Sequence, residues 1–157
     1  MILINFKNYK TGREVIDLVR TVEIYCNKAI VAVPFVELKE IAKEIRIPIF
    51  SQHVDYHEKG RGTGYVIPES LIEAGAQGSL LNHSEHKISF QATKRCIARC
   101  HDKNFKLVVC VKSVTEAKKI AKIYPYAIAY EDPKLIATGK SVTHHDLNSL
   151  KNFVSAL

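Results

Sequence analysis

The sequence contains no long apolar run and no cysteine pair of the CxxC type. No segment approaches the roughly 18 consecutive apolar residues of a membrane-spanning helix. The first ten residues place apolar residues and Asn5 ahead of Lys7, the reverse of the order in a secretory signal peptide. We therefore expect a soluble, cytoplasmic protein. In that compartment, four cysteines without CxxC spacing indicate free thiols rather than a disulfide framework.

The sequence also lacks a G-x-G-x-x-G signature after its first predicted strand. The segment from Asn5 to Lys10 reads NFKNYK, without the glycines that let a dinucleotide-binding sheet approach a pyrophosphate. The glycines at 60, 62 and 64 follow the third predicted strand instead, where they indicate a loop. No cofactor is predicted from these patterns.

Charge of positive sign is in excess, with a formal net charge of +7. Such a balance admits nucleic acid, a membrane surface or a small anionic substrate as partner. The lysines are spread along helical patterns such as Glu116 to Lys122, where apolar residues recur at helical spacing. Lysines in this arrangement form a solvated helix face. We therefore predict neither a nucleic acid nor a membrane partner.

Short apolar runs alternate with helical patterns along the 157 residues, and 46% hydrophobic residues can build a buried core. The predicted strands are Ile2–Asn5, Ala29–Val33, Ile47–Phe50, Gly78–Leu81, Lys106–Cys110 and Tyr126–Glu131. The predicted helices are Gly12–Asn27, Val36–Glu44, Pro68–Ala74, Lys87–Lys103, Val114–Ile123 and His145–Ala156. This alternation predicts an α/β protein with a parallel sheet in a single domain spanning 1–157. The sheet is either open and doubly wound or a closed β/α barrel.

The first strand ends in two polar residues, Asn5 and Lys7. Because they are two positions apart, strand alternation directs both to one side of the sheet and turns Ile2, Ile4 and Phe6 toward the helices. Burying an amide and an ammonium inside a sheet is costly unless they line a ligand site. Lys7 lying beyond the rim in solvent is the alternative reading.

The fourth and sixth strands end in residues with acid-base chemistry. His83 stands where the fourth strand gives way to a helix, and Ser84 is predicted to cap that helix. A helix N-terminus disfavours imidazolium, so His83 is expected to be neutral and to donate a hydrogen bond. Glu131 shares its strand face with Ala127 and Ala129 and is therefore predicted to point into the same interior as Lys7.

Together these residues indicate an active site at the carboxyl ends of barrel strands. A carboxylate base, a neutral donor and a cation fit proton abstraction beside a carbonyl, with the resulting oxyanion stabilised. The segment His53-Val-Asp-Tyr-His57 admits a metal site, but a loop with scattered polar residues explains it as well. No metal is therefore predicted.

These motifs, in this order, resemble those of the triosephosphate isomerase family, in particular its compact archaeal type. The matching segments are Asn5–Lys7, Asn82–Glu85, the strand around Cys110, and Tyr130–Glu131 through Ile136–Lys140. The pair Gln52–His53 with Thr63–Gly64 is similar to the third loop of the archaeal subfamily. The resemblance implies a TIM (β/α)8 barrel that interconverts D-glyceraldehyde 3-phosphate and dihydroxyacetone phosphate in glycolysis and gluconeogenesis, without metal or cofactor.

The resemblance also implies a role for each catalytic candidate. Glu131 would move the proton between the two carbons, and His83 would polarise the carbonyl, as is established for this family. Lys7 would stabilise the enediolate and the phosphate, while Asn5 would orient the substrate. Glu85 resembles the family's second carboxylate, in the network around Lys7.

Two further segments carry implied roles. Residues Asp132–Lys140 resemble the closing lid that excludes water. Asp132 stands where the family usually has Pro, which predicts a looser hinge. Ala137 stands where the family has Gly; it is predicted to keep the substrate-binding backbone N–H while restricting the backbone. Thr63 resembles a residue that reaches into a partner subunit and braces Asn5, which implies a homo-oligomer, a dimer or a tetramer.

The length departs from the family pattern. A barrel of eight units takes roughly 250 residues, about 31 per unit, so 157 residues provide about six. We expect strands seven and eight, whose loops form the usual phosphate site, to be missing from this chain. Two alternatives to a working isomerase stay open: a non-catalytic remnant that has lost substrate affinity, and a fragment that needs a complementary chain.

Overall fold

The computed structural model describes residues 1–136, 138–139 and 147–156, in which strands and helices alternate. The strands are β1 (Ile2–Asn5), β2 (Ala29–Val33), β3 (Ile49–Ser51), β4 (Gly78–Leu81), β5 (Lys106–Val111) and β6 (Ala127–Tyr130). The helices are α1 (Arg13–Tyr25), α2 (Leu38–Glu44), α3 (Pro68–Glu73), α4 (Phe90–His101), α5 (Val114–Ala121) and α6 (Leu147–Ser155), with a 3₁₀ helix at Phe35–Glu37. Within these described ranges, no helix is long and apolar enough to cross a membrane.

The strand order decides between the two predicted architectures. The six strands form one parallel sheet in the order β1-β2-β3-β4-β5-β6. A doubly wound sheet reverses its strand order at a switch point, whereas a β/α barrel adds strands sequentially. The barrel prediction is therefore confirmed, and the described chain forms a curled half-barrel in which β1 and β6 each pair on one side only.

The alternation of side chains along the strands produces two apolar layers. The larger layer packs between sheet and helices and includes Ile4 and Phe6, as predicted. Ile2, also predicted to face the helices, is 54% exposed because β1 is an edge strand. The smaller layer lies on the inner face and consists of Ile30, Ala32, Phe50, Leu80, Val108 and Cys110, with Leu3, Ala127 and Ala129 packed against it. All four cysteines are free thiols.

Element ends differ from the predictions where local chemistry overrides the pattern. The third strand begins at Ile49 rather than Ile47, because Pro48 has no N–H to give to the ladder. Helix α4 begins at Phe90 rather than Lys87, because the Ser89 hydroxyl accepts a 3.1 Å hydrogen bond from the Ala92 N–H and caps it. The predicted start of the last helix, His145, lies outside the described residues.

One ion cluster ties α3 to α4 and has a measurable pH dependence. Glu69 contacts Arg99 and lies 2.9 Å from Lys103 Nζ. Burial disfavours its charge, but hydrogen bonds from Lys103, its own backbone and Arg99 outweigh that effect and lower the pKa of Glu69 from 4.5 to about 2. A depressed folded-state pKa contributes stability above the unfolded pKa, here about 3 kcal/mol, and loses it as pH falls from about 4.5 toward 2.

We expect Glu69→Gln to lower the free energy of unfolding at pH 7 by about 2–3 kcal/mol and to flatten its decline in acid. Urea unfolding of both proteins between pH 7 and pH 3 measures both effects. Glu73→Gln, an exposed change on the same helix, is the matched control and should leave both unchanged. If the free energy of unfolding of wild type and of Glu69→Gln fell equally steeply between pH 7 and pH 3, this account would be contradicted.

Candidate functional site

The carboxyl ends of β4 and β6 bring a histidine and a carboxylate into contact. The His83 Nε2 atom lies 3.0 Å from Glu131 Oε1, and both side chains are only 16% exposed. Glu131 follows directly on β6, where its N–H still bonds to the Val111 carbonyl at 2.8 Å and continues the ladder. The carboxylate also accepts hydrogen bonds from Ser84, from its N–H at 2.9 Å and its hydroxyl at 3.2 Å. The predicted inward direction of Glu131 therefore agrees with its contacts.

The hydrogen bonds around His83 define its tautomer. The backbone N–H of Glu85 donates to His83 Nδ1 at 3.2 Å, which requires an unprotonated Nδ1. The ring proton then lies on Nε2, the atom that faces Glu131. His83 thus accepts a hydrogen bond at Nδ1 and directs Nε2 toward the Glu131 carboxylate.

The predicted helix N-terminus at Ser84, which was the reason for expecting a neutral His83, is not present in the structure. The prediction placed Ser84 at a helix N-terminus, but α4 begins at Phe90 and is capped by Ser89. Residues 82–89 form an irregular connection in which the His86 N–H bonds to the His83 carbonyl at 2.8 Å. Ser84 holds the Glu131 carboxylate instead, a function that strand and helix patterns in the sequence do not reveal.

The cation of the site is Lys7, whose ammonium lies 2.6 Å from Glu85 Oε1. The hydrogen bond that Lys7 donates to Glu85 raises the pKa of Lys7, and the same bond lowers the pKa of Glu85. Lys7 lies two residues beyond the end of β1, with 27% of its side chain exposed and its ammonium on Glu85. Glu85 thus connects Lys7 to the backbone loop that carries His83.

Asn5 lies at the end of β1, opposite Ala32 in the ladder. Its side-chain oxygen accepts the Lys7 N–H at 2.9 Å and a longer contact of 3.3 Å from the Gln52 amide. A cavity of about 510 Å³ opens beside it and is lined by Asn5, Gln52, His53, Gly64, His83 and Glu85, among others. Three strand ends therefore place Asn5, Lys7, His83 and Glu131 at one edge of the sheet, and of these four Asn5 and His83 line the cavity.

The lid segment is only partly described. The Asp132 carbonyl accepts hydrogen bonds from Leu135 and Ile136 at 3.0 and 3.2 Å, and its carboxylate accepts the Lys134 N–H at 2.9 Å. These bonds fold the start of the segment into a turn. Ala137, predicted to offer its N–H to the phosphate, lies outside the described residues, as does Lys140.

The residues of the alternative metal site point in different directions. The His53 ring stacks on His86 with centroids 4.1 Å apart and contacts Asp55 at 3.3 Å. The His57 ring stacks on Tyr65 with centroids 3.4 Å apart. Within the described part of the chain, no three His, Cys, Asp or Glu side chains are grouped as a metal would require.

Asn82, directly before His83, shapes the connection after β4. It has a φ of 58° and is 3% exposed. Its side chain donates to the Cys110 carbonyl at 2.9 Å and to Glu116 at 3.2 Å, and accepts the Ile88 N–H at 3.1 Å. A left-handed residue anchored by buried hydrogen bonds fixes the direction in which His83 leaves the sheet.

We expect Asn82→Gly and Asn82→Ala to lose about 1–3 kcal/mol of stability through the broken hydrogen bonds. Asn82→Ala should lose about 1 kcal/mol more, because only glycine takes a positive φ without strain. Urea unfolding of the two variants measures the difference. In α6, the exposed Asn152 should show the opposite order, with Ala more stable than Gly. Equal stability of the two Asn82 variants would contradict the argument from backbone strain.

Comparison with known proteins adds to this geometry. The sequence model of the family Triosephosphate isomerase matches residues 1–157. The chain is 37% identical over 149 residues to triosephosphate isomerase of Sulfolobus acidocaldarius, covering 91% of this chain and 65% of that protein. It is 30% identical over 163 residues to triosephosphate isomerase of Methanocaldococcus jannaschii, covering 100% of this chain and 74% of that protein. The chain therefore spans about two thirds of the length of these relatives.

The fold also matches a solved structure. A crystal structure of triosephosphate isomerase from Bartonella henselae superposes with a TM-score of 0.68 over 83% of this chain and 67% of that chain. The sequence identity of 21% means that this likeness concerns the fold. With the family match along residues 1–157 and archaeal relatives at 30% and 37% identity, the chain belongs to the triosephosphate isomerase family.

Proposed function

We propose that this chain carries the catalytic residues of a triosephosphate isomerase, interconverting D-glyceraldehyde 3-phosphate and dihydroxyacetone phosphate. The contact between His83 Nε2 and Glu131 Oε1, at 3.0 Å on the inner edge of the sheet, is the observation that carries the proposal. It places a carboxylate base and a neutral hydrogen-bond donor where one small substrate meets both. Family membership supports the assignment.

Glu131 is the base in this proposal. Its carboxylate removes a proton from the hydroxyl-bearing carbon beside the carbonyl and returns it to the former carbonyl carbon. The hydroxyl proton passes from one substrate oxygen to the other, so no net proton is consumed. The negative charge moves onto the carbonyl oxygen as an enediolate forms. The His83 N–H donates a hydrogen bond to that oxygen, and the Lys7 ammonium lowers the energy of the developing charge.

The base has to move before it can act. Both Glu131 oxygens are engaged, one with His83 and both through Ser84. A substrate oxygen that takes up the His83 N–H displaces Glu131 from it. Because residues 132–136 follow Glu131 directly, a change in the backbone conformation of that segment would move the Glu131 carboxylate. We infer that binding of substrate and release of Glu131 are coupled through this segment.

Activity is tested on a fusion of residues 1–157 to the aligned remainder of the Sulfolobus acidocaldarius relative, of which this chain covers 65%. Coupled assays in both directions should show interconversion of the two triose phosphates and far less turnover of unphosphorylated dihydroxyacetone and glyceraldehyde. A folded fusion without activity above buffer, or without preference for the phosphorylated trioses, would overturn the proposal.

We also propose a cytoplasmic homo-oligomer in which Thr63 of one copy reaches the site of another. Thr63 lies in an exposed loop, and the cavity of about 510 Å³ beside Asn5 is open to receive such a side chain. The resemblance of this loop to the archaeal subfamily supports a dimer or a tetramer.

Thr63→Arg should therefore shift the chain to smaller species in analytical ultracentrifugation, because a longer cation does not fit the same contact. Ser70→Arg, an exposed change on α3, is the control and should leave the distribution unchanged. Association that survives Thr63→Arg would contradict the loop contact and point instead to the outer strands of the described sheet, β1 and β6.

A further inference from the structure

Lys7 has an unusual backbone conformation for a lysine. Its φ is 50°, in the left-handed region, which is sterically disfavoured for a residue with a Cβ. Strain of this kind persists only where the surrounding structure holds it in place. The chain therefore needs contacts that fix the peptide groups of Lys7.

Two side chains provide those contacts, one on each side of the residue. The Lys7 N–H donates to Asn5 Oδ1 at 2.9 Å, and the Lys7 carbonyl accepts a hydrogen bond from Gln52 Nε2 at 2.9 Å. Asn5 comes from β1 itself, whereas Gln52 follows β3, two strands away. Of the two bonds that hold the Lys7 peptide groups, the one from Asn5 is local and the one from Gln52 is tertiary.

The Gln52 amide also reaches the residues beside Lys7. Its nitrogen lies 3.3 Å from Asn5 Oδ1 and 3.4 Å from the Ala32 carbonyl. An amide nitrogen carries two hydrogens, so it can hold the short bond to Lys7 and share the other among these acceptors. Asn5, Lys7 and Gln52 are thus joined to one another by hydrogen bonds. The Gln52 amide nitrogen is the donor in its contacts with the other two residues.

We propose that Gln52 is a positioning residue that holds Lys7 in its left-handed conformation and thereby directs its ammonium to Glu85 and the site. Gln52 acts through the Lys7 backbone and is assigned no contact with the reacting atoms. The benefit to isomerase catalysis depends on the proposed function. The effect of Gln52 on the conformation of Lys7 does not depend on the proposed function. An experiment can therefore test the role of Gln52 and the proposed function separately.

Loss of the Gln52 donor predicts a specific change. Without it, Lys7 is free to relax to a negative φ, and a relaxed backbone carries the side chain away from Glu85, 2.6 Å distant in the structure. The Glu85 carboxyl reports this loss, because its lowered pKa depends first on the hydrogen bond from Lys7. General destabilisation that leaves Lys7 in place would not move that pKa.

The test uses the 157-residue chain with two nuclear magnetic resonance readouts. The first is the pKa of Glu85 from its side-chain ¹³C shift, and the second is the Lys7 ¹³Cα shift, which reports backbone conformation. Gln52→Met keeps the length of the side chain and removes its donors. Gln91→Met, on the exposed face of α4, is the matched control. Lys7→Met gives the Glu85 pKa without its partner.

We expect Gln52→Met to raise the Glu85 pKa most of the way to its value in Lys7→Met and to move the Lys7 ¹³Cα shift, with Gln91→Met unchanged. Gln52→Asn, which keeps an amide but is too short to reach Lys7, should behave like Gln52→Met. A folded Gln52 variant that keeps both wild-type values would overturn the proposal. Unfolding of both variants would also overturn it, because Gln52 would then serve stability. An inactive fusion with the expected shifts refutes the proposed function alone.

Discussion

Glu131→Gln should lower kcat of the active fusion by about 10²- to 10⁴-fold, the range that a positioned general base contributes. The amide has the shape of the carboxylate but cannot accept a carbon-bound proton at neutral pH. Substrate contacts to His83 and Lys7 remain, so KM should change much less than kcat. Steady-state assays in both directions, together with exchange of the transferred proton with deuterated solvent, measure the loss.

Two comparisons give this result its meaning. Glu40→Gln, an exposed change on α2, should leave kcat unchanged. Unfolding curves should show that Glu131→Gln is folded at the assay temperature, because Ser84 can still donate to the remaining amide oxygen. Retention of full turnover by a folded Glu131→Gln variant would exclude Glu131 as the base and leave the acid-base role without a residue.

The fold was predictable because its main determinants are local. Period-two alternation in β1 and β6 assigns Ala129 to the inner layer and Ile4 to the outer one, as observed. Sequential βαβ units lead to a parallel sheet, but the choice between barrel and doubly wound topology depends on which strand pairs with which. Those pairings join residues far apart in the sequence. The only local pattern that argued against the doubly wound topology was the lack of a G-x-G-x-x-G signature after the first strand.

The site was predictable to the extent that it follows strand ends. Asn5 and Glu131 come directly from the strand pattern, and the structure places both as expected. The contact between Ser84 and Glu131 joins residues 47 positions apart in a loop without a regular repeat. The positive φ of Lys7 is likewise set by the tertiary hydrogen bond from Gln52. No periodicity encodes such contacts, because each depends on how the sheet curls.

The error about Ser84 has the same origin. Ser84 stands three residues before Lys87, the predicted start of the helix, and was therefore expected to cap it. Asn82 instead anchors the connection to Cys110 and Ile88, and the helix begins only at Phe90. The orientation of the His83 ring has a different basis, namely the backbone N–H of Glu85 on Nδ1. A local backbone hydrogen bond here takes the place of the helix dipole that the pattern suggested.

The polypeptide of residues 1–157, assayed alone, is expected to be a very poor isomerase. The proton-transfer residues are in place, since Glu131 contacts His83 at 3.0 Å and Lys7 is held by Glu85 at 2.6 Å. The phosphate is a different matter. In β/α barrels the loops after strands seven and eight, with a short helix, form the usual phosphate site, and the described sheet has six strands. The Lys7 ammonium, the cation of this constellation, is already paired.

Binding of the remote phosphate drives the reacting carbons into position, so its loss lowers kcat as well as affinity. Three charge-assisted hydrogen bonds at about 1.5–3 kcal/mol each represent about 5–9 kcal/mol of transition-state binding, or roughly 10³- to 10⁶-fold in kcat/KM. We therefore expect the chain alone to fall below the fusion by a factor in that range. Adding the remainder of the Sulfolobus acidocaldarius relative as a separate polypeptide should restore part of the loss. Coupled assays of the three samples at equal concentration measure this, and full activity from residues 1–157 alone would show that the phosphate is bound by residues of this chain.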